Sequence, residues 1–138
     1  MRVSQRVDYA LRGLVALSQR PFGTSMAAGD IADRLALPRR FLEQQFTSLA
    51  QAGILECRRG AGGGCSLARP AAMITAADVV RALEGVALDV PRTSGTVVSD
   101  MWSDVGAALD EALDRVTLAA LAAQQNHLDA QGASVYYI

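Results

Sequence analysis

Between Arg59 and Cys65 the chain reads GAGGG, four glycines in five positions, and this tract narrows the fold more than any other. Glycine enters left-handed backbone without steric cost, so the tract calls for a tight reversal rather than the interior of a helix or strand. Two short strand-like runs flank it, ILECR (54–58) and CSLAR (65–69), and together they read as a β-hairpin. A phosphate-cradling loop is the competing interpretation. That loop needs a lysine behind its glycines, and the chain has no lysine. A dinucleotide-binding turn needs a third glycine opening a helix; Cys65 holds that place and a strand follows.

Three helices are expected ahead of the hairpin. From Ser4 to about Ser18 the apolar residues Val7, Leu11, Leu14, Val15 and Leu17 share one helical face, and Pro21-Phe22-Gly23 ends the element. A second helix covers 27–36, with Ile31, Ala32 and Leu35 inward. A third follows Pro38, buries Leu42, Phe46 and Leu49, and stops at Gly53. Beyond the hairpin, Thr75 and Asp78 form a capping-box start for a fourth helix that runs to Gly85. Residues 86–96 read as a linker. A long helix over 97–115 carries Met101, Trp102, Val105, Leu109, Leu113 and Val116 in a near-heptad stripe that needs a partner. A short helix at 117–125 and a tail over 126–138 follow. The hydrophobic content is 51% but only 5% is aromatic, so the core is aliphatic, which favours helices. The expected fold is mainly α with a small β-hairpin. It divides into a winged helix-turn-helix unit (1–85), a linker (86–96), a dimerisation helix with a short following helix (97–125), and the tail.

Charge points to a partner. The net charge of −1 conceals a first half (1–70) at +5 and a second half (71–138) at −6, so a polyanion would meet only the first. Three short helices, a hairpin and a basic balance match the winged helix-turn-helix. There the third helix enters the major groove and the wing tip reaches the neighbouring backbone or minor groove. The solvent face of helix three presents Arg39, Arg40, Glu43, Gln44 and Thr47, which include the side-chain types that read guanine, cytosine and adenine edges. Glycines thin the wing tip so that Arg58 or Arg59 projects toward DNA.

The stretch DIADRLALPRRFLEQQFTSLAQAGILECRRGAGGGCSLARP followed by ITAADVVRALEG resembles the Rrf-2-type family of bacterial winged-helix transcription regulators, which includes IscR, NsrR and CymR. The resemblance implies a homodimeric regulator on a palindromic operator, with the long helix as dimer interface. It places Arg40, Glu43 and Gln44 at base-reading positions and Arg59 as the wing arginine. Pro38 and Cys65 depart from the family pattern, so the operator sequence does not carry over.

Many relatives hold an iron–sulfur cluster on three cysteines between the fourth and long helices. The corresponding segment here, VALDVPRTSGTVVSDMW, has none, so no cofactor or metal is expected. Asp8, at the position of the helix-one acidic ligand, reads instead as an i,i+4 partner of Arg12. Cys57 and Cys65 are the redox alternative. A directly opposed cross-strand pair spans about 4.5–5.5 Å at Cβ, wider than a relaxed disulfide, which favours reading both as small half-buried hydrophobes.

The ending SVYYI resembles that of the cluster-free, CymR-like branch, repressors of cysteine metabolism controlled by cysteine synthase. The resemblance implies that Tyr136, Tyr137 and Ile138 dock that enzyme. With no lysine, one histidine and no nucleophile beside a base, an enzyme is not expected. The sequence-level expectation is a cytoplasmic repressor without membrane association. A thiol-switched repressor, or a protein-interaction module with weak DNA binding, are the alternatives.

Overall fold

The computed structural model describes residues 3–89 and 95–136, with side chains through residue 132. Helix α1 (Gln5–Ser18) buries Val7, Ala10, Leu14 and Leu17 on one face, the three-to-four spacing that its sequence prescribes. Helix α2 (Ala28–Leu35) buries Ile31 and Ala32, and α3 (Arg39–Gln51) buries Leu42, Phe46 and Leu49. Gly13 lets α1 and α3 close on each other: a Cβ there would lie 3.0 Å from Cε1 of Phe46. Tyr9 and Phe41 meet edge to face across the same two helices, their ring centroids 5.8 Å apart. The turn between α2 and α3 hinges on Ala36, which takes a left-handed conformation (φ 55°) at the end of α2. Leu35, expected to face inward, is exposed there.

Past Gly53 (φ 81°), the chain forms β1 (Leu55–Arg58) and β2 (Gly64–Leu67), an antiparallel pair with Leu55 opposite Leu67 and Cys57 opposite Cys65. Leu55 and Leu67 turn into the core shared with α1 and α3. At the hairpin tip Gly60 (φ 97°) and Gly62 (φ 76°) occupy left-handed backbone, and the Gly63 N–H donates to the Gly60 carbonyl at 2.9 Å.

A short 3₁₀ turn (Ala71–Met73) leads into α4 (Ala76–Glu84), whose capping box is reciprocal. The Asp78 N–H donates to Thr75 Oγ1 at 3.1 Å, and the Thr75 N–H donates to Asp78 Oδ2 at 3.0 Å. Arg69 adds a guanidinium at 3.2 Å from that carboxylate. Burial works against the Asp78 charge, but the Thr75 N–H and the Arg69 charge outweigh it and hold the carboxyl below its usual range.

Helix α5 (Val97–Asp114) has no buried residue within one chain; Met101, Val105 and Leu109 stand exposed, while Leu113 packs on the core. Helix α6 (Leu118–Tyr136) folds back along α1. Its first residue, Leu118, is fully buried and donates its N–H to the Ile74 carbonyl at 2.9 Å, while Ala76 donates to Val116 at 2.8 Å. Further along, Gln19 Nε2 donates to Asn126 Oδ1 at 2.8 Å and to Asp129 Oδ2 at 3.0 Å. The short helix expected at 117–125 is therefore corrected: one helix continues through the stretch read as tail, as far as Tyr136. Tyr137 and Ile138 lie outside the described residues. The architecture is mainly α with a two-stranded hairpin, in the element order of a winged helix-turn-helix.

Candidate nucleic-acid interface

Helix α3 sorts its residues by face. Leu42, Gln45, Phe46 and Leu49 are buried, and Arg39, Arg40, Glu43, Gln44 and Thr47 are all exposed along the opposite side. Gln45 is polar yet 6% exposed, and Arg6 of α1 satisfies it by donating Nε to Oε1 at 3.1 Å. The Thr47 hydroxyl donates back to the Glu43 carbonyl at 3.0 Å, so its methyl, with the side chains of Arg40, Glu43 and Gln44, is what the helix offers outward.

Arg39 differs from its neighbours. Its Nη1 lies 2.6 Å from Asp33 Oδ2 on α2, and its Nε lies 3.4 Å from Glu43 Oε1 one turn along α3. The guanidinium lies over Gly29, which is buried: a Cβ on Gly29 would sit 2.5 Å from Nη2 and 2.6 Å from Nε. Arg40, Arg58 and Arg59 form no ion pair among the described residues.

The hairpin leans on the start of α2. Cys65 exchanges both backbone hydrogen bonds with Met26, at 2.8 and 2.9 Å, so Met26 serves as a third, one-residue strand. A cleft of about 380 Å³ separates hairpin from α3, and Gly29, Arg39, Glu43, Thr47, Arg58 and Arg59 border it. Glu43 and Thr47 therefore share one concavity with the wing arginines, while Arg40 and Gln44 are exposed on the same helix without bordering it.

Cys57 and Cys65 are joined as a disulfide, with Cα atoms 4.1 Å apart. This corrects the expectation that opposed strands hold the sulfurs too far apart. Because the N–H and C=O of Cys65 point away toward Met26, the Cys57–Cys65 pair is of the non-hydrogen-bonded kind, where strands approach most closely. The bridge to Met26 reveals which kind of pair this is, and nothing in the sequence neighbourhood of Met26 signals a strand. Cys57 is exposed and Cys65 buried.

Residues 3–124 match the family described as Rrf2, iron-dependent transcriptional regulator. The chain belongs to the Rrf2 family. It is 33% identical over 131 residues to a Mycobacterium tuberculosis protein named as an HTH-type transcriptional regulator, covering 88% of this chain and 81% of that one. Among solved structures it is similar to CymR, titled the global cysteine regulator of B. subtilis (TM-score 0.77, 29% identity, covering 90% of this chain and 98% of that one). It is equally similar to T. potens IscR (TM-score 0.77, 32% identity, covering 95% and 91%). This Rrf2 protein is a transcriptional regulator, not an enzyme.

The family description names iron, and the residues present do not fit it. Among the described residues no group of three or more His, Cys, Asp or Glu side chains is placed to hold a metal. Both cysteines of the sequence are consumed in the hairpin disulfide, which leaves cluster iron no thiolate. Asp8 pairs with Arg12 at 3.2 Å, and His127 lies on exposed α6 beside Gln131 at 3.1 Å. No helix among the described residues is long and apolar enough to cross a membrane.

Proposed function

We propose that the chain acts as a homodimer that binds a palindromic operator, with α3 in the major groove and the hairpin as a wing on the adjoining strand. The observation that carries this is the shared cleft: Glu43 and Thr47 of α3 border it together with Arg58 and Arg59 of the hairpin, and Arg40 and Gln44 are exposed on the same helix. Arg40 and Gln44 suit guanine and adenine edges, Glu43 suits the cytosine amine, and Arg59 suits the narrow groove. The second copy occupies the α5 stripe, where Trp102, Val105 and Leu109 follow the alternating three- and four-residue steps of a helix seam. Two-fold pairing of the readers then requires two-fold symmetry in the site. Enrichment of genomic fragments by the purified protein at physiological salt tests this. A palindrome among the recovered fragments is the expected result; unselective recovery refutes it.

The likeness to CymR supports a finer reading, in which the regulated genes serve sulfur and cysteine metabolism and the protein represses them. In the same reading cysteine synthase takes up Tyr136, Tyr137 and Ile138. Since α6 is helical to Tyr136, an extended docking peptide requires its last turn to unwind. Deleting Ile138 and finding unchanged affinity for the synthase would remove this part.

The disulfide favours a second reading, a thiol-switched repressor. A dithiol reductant opens the bond by exchange at exposed Cys57, its two hydrogens ending on Cys57 and Cys65 and its own sulfurs joining as a disulfide. Arg58 is the next residue, so the oxidised hairpin holds the wing arginines in place for DNA. Oxidised protein is expected to bind the recovered fragments more tightly than protein reduced with dithiothreitol; equal affinity removes the switch.

A further inference from the structure

Of the five polar residues on the outer face of α3, Arg39 alone is paired with a carboxylate on another helix, and this separates its role from that of its neighbours. Its guanidinium rests over buried Gly29 and is held by Asp33 one turn further along α2, where the i,i+4 spacing places the carboxylate at the end of a glycine-floored seat. The other edge of the fork meets Glu43 on α3. An exposed ion pair alone fixes little. Here a fork with a planar shape spans two carboxylates and covers a surface that any side chain at position 29 would occupy.

Charge argues the same way. Asp33, Arg39 and Glu43 together carry one net negative charge, so a phosphate gains nothing by approaching the cluster. Arg40, one residue on, faces outward without a carboxylate partner among the described residues.

We infer that Arg39 is a positioning residue for base recognition: seated on Gly29 and Asp33, it aims the Glu43 carboxylate into the groove and makes no phosphate contact of its own. The inference rests on the DNA-binding reading above and adds the origin of specificity at one base position. Glycine at 29 is then required by recognition, since the Arg39 guanidinium is what a Cβ there would displace.

The test is selection from a library of random-sequence duplexes by wild type, R39Q, G29A, E43Q and the double variant R39Q/E43Q, together with the salt dependence of affinity for the selected duplex. Arg39 is exposed, so R39Q leaves the core intact. G29A keeps the charge but evicts the guanidinium from its seat. Both are expected to lower discrimination at the position read by Glu43 roughly fivefold, the low end of what one base contact carries. Neither is expected to change the slope of log affinity against log salt, whereas R58Q, on the wing arginine that is given no base to read, lowers that slope by about one. In the E43Q background R39Q is expected to do nothing further. The inference is overturned if R39Q lowers the slope by about one and acts equally with and without Glu43, for Arg39 is then a phosphate contact. It is overturned as well if R39Q and G29A keep wild-type base preferences. If wild type selects no sequence, the DNA-binding reading falls and takes this one with it, an outcome distinct from the other two.

Discussion

Opening the Cys57–Cys65 bond should cost stability by an amount the fold itself sets. The cysteines are 8 residues apart, and tying off so small a loop removes unfolded-chain entropy worth about 2.5 kcal/mol at 25 °C. A chain of 138 residues gains roughly 0.3 kcal/mol/K of entropy on melting, so reduction should lower Tm by about 8 °C. The full amount is realised only if the hairpin melts together with the helices. The packing says that it does: Leu55 and Leu67 are core residues, and Cys65 is bonded through both backbone groups to Met26. Calorimetry on oxidised and reduced protein, with thiol alkylation to verify each state, measures the difference. Two variants refine it. C57S removes the tether at an exposed position and should match reduced wild type. C65S also buries a hydroxyl at a site 7% exposed, and should be less stable still by about 1–3 kcal/mol. Oxidised and reduced forms melting within about 2 °C of each other would refute the reasoning, because the hairpin would then be opening on its own, below the global transition.

Ala36 pays a backbone penalty in the helix-turn-helix corner, at φ 55° and ψ 40°. A36G should raise stability by about 0.5–1 kcal/mol in denaturant unfolding, with DNA affinity unchanged. Asp78 is a carboxyl held below its usual range, so its contribution is complete above the unfolded carboxyl range, about pH 4, and is lost as pH falls through the lowered folded value. D78N should therefore cost roughly 1–2 kcal/mol at neutral pH and flatten the acid limb of the stability curve, as read by urea titrations from pH 7 to pH 2. V105D places a charge in the α5 stripe, where Val105 is exposed in the single chain. It should leave the monomer folded by circular dichroism while sedimentation reports loss of the dimer.

The helix faces were legible because burial follows a period that the letters display. Leu42, Phe46 and Leu49 point in, so Arg40, Glu43, Gln44 and Thr47 must point out, and the Thr75–Asp78 cap is a local code of the same kind. What escaped reading depended on partners distant in sequence. The engagement of Arg39 comes from Gly29 and Asp33 on the preceding helix, and the kind of strand pair the cysteines form is revealed by the bridge to Met26, a residue in an unremarkable turn. The length of α6 was missed for a different reason. Residues 126–132, NHLDAQG, carry too few apolar side chains to show a period, yet the helix is carried through them from an anchored start, and α1 supplies Gln19 as a bonding partner for Asn126 and Asp129.

The backbone bridge between Thr75 and Thr117 has a topological consequence. The chain leaves for α4 and α5 and returns to α6 at one point, like a handle with both ends fixed together, and α4 itself packs into the core. Lengthening such a handle is cheap, about 0.6 kcal/mol for each doubling of a flexible loop. A change of length between α4 and α5 therefore leaves the point where the chain departs from and rejoins the core as it is.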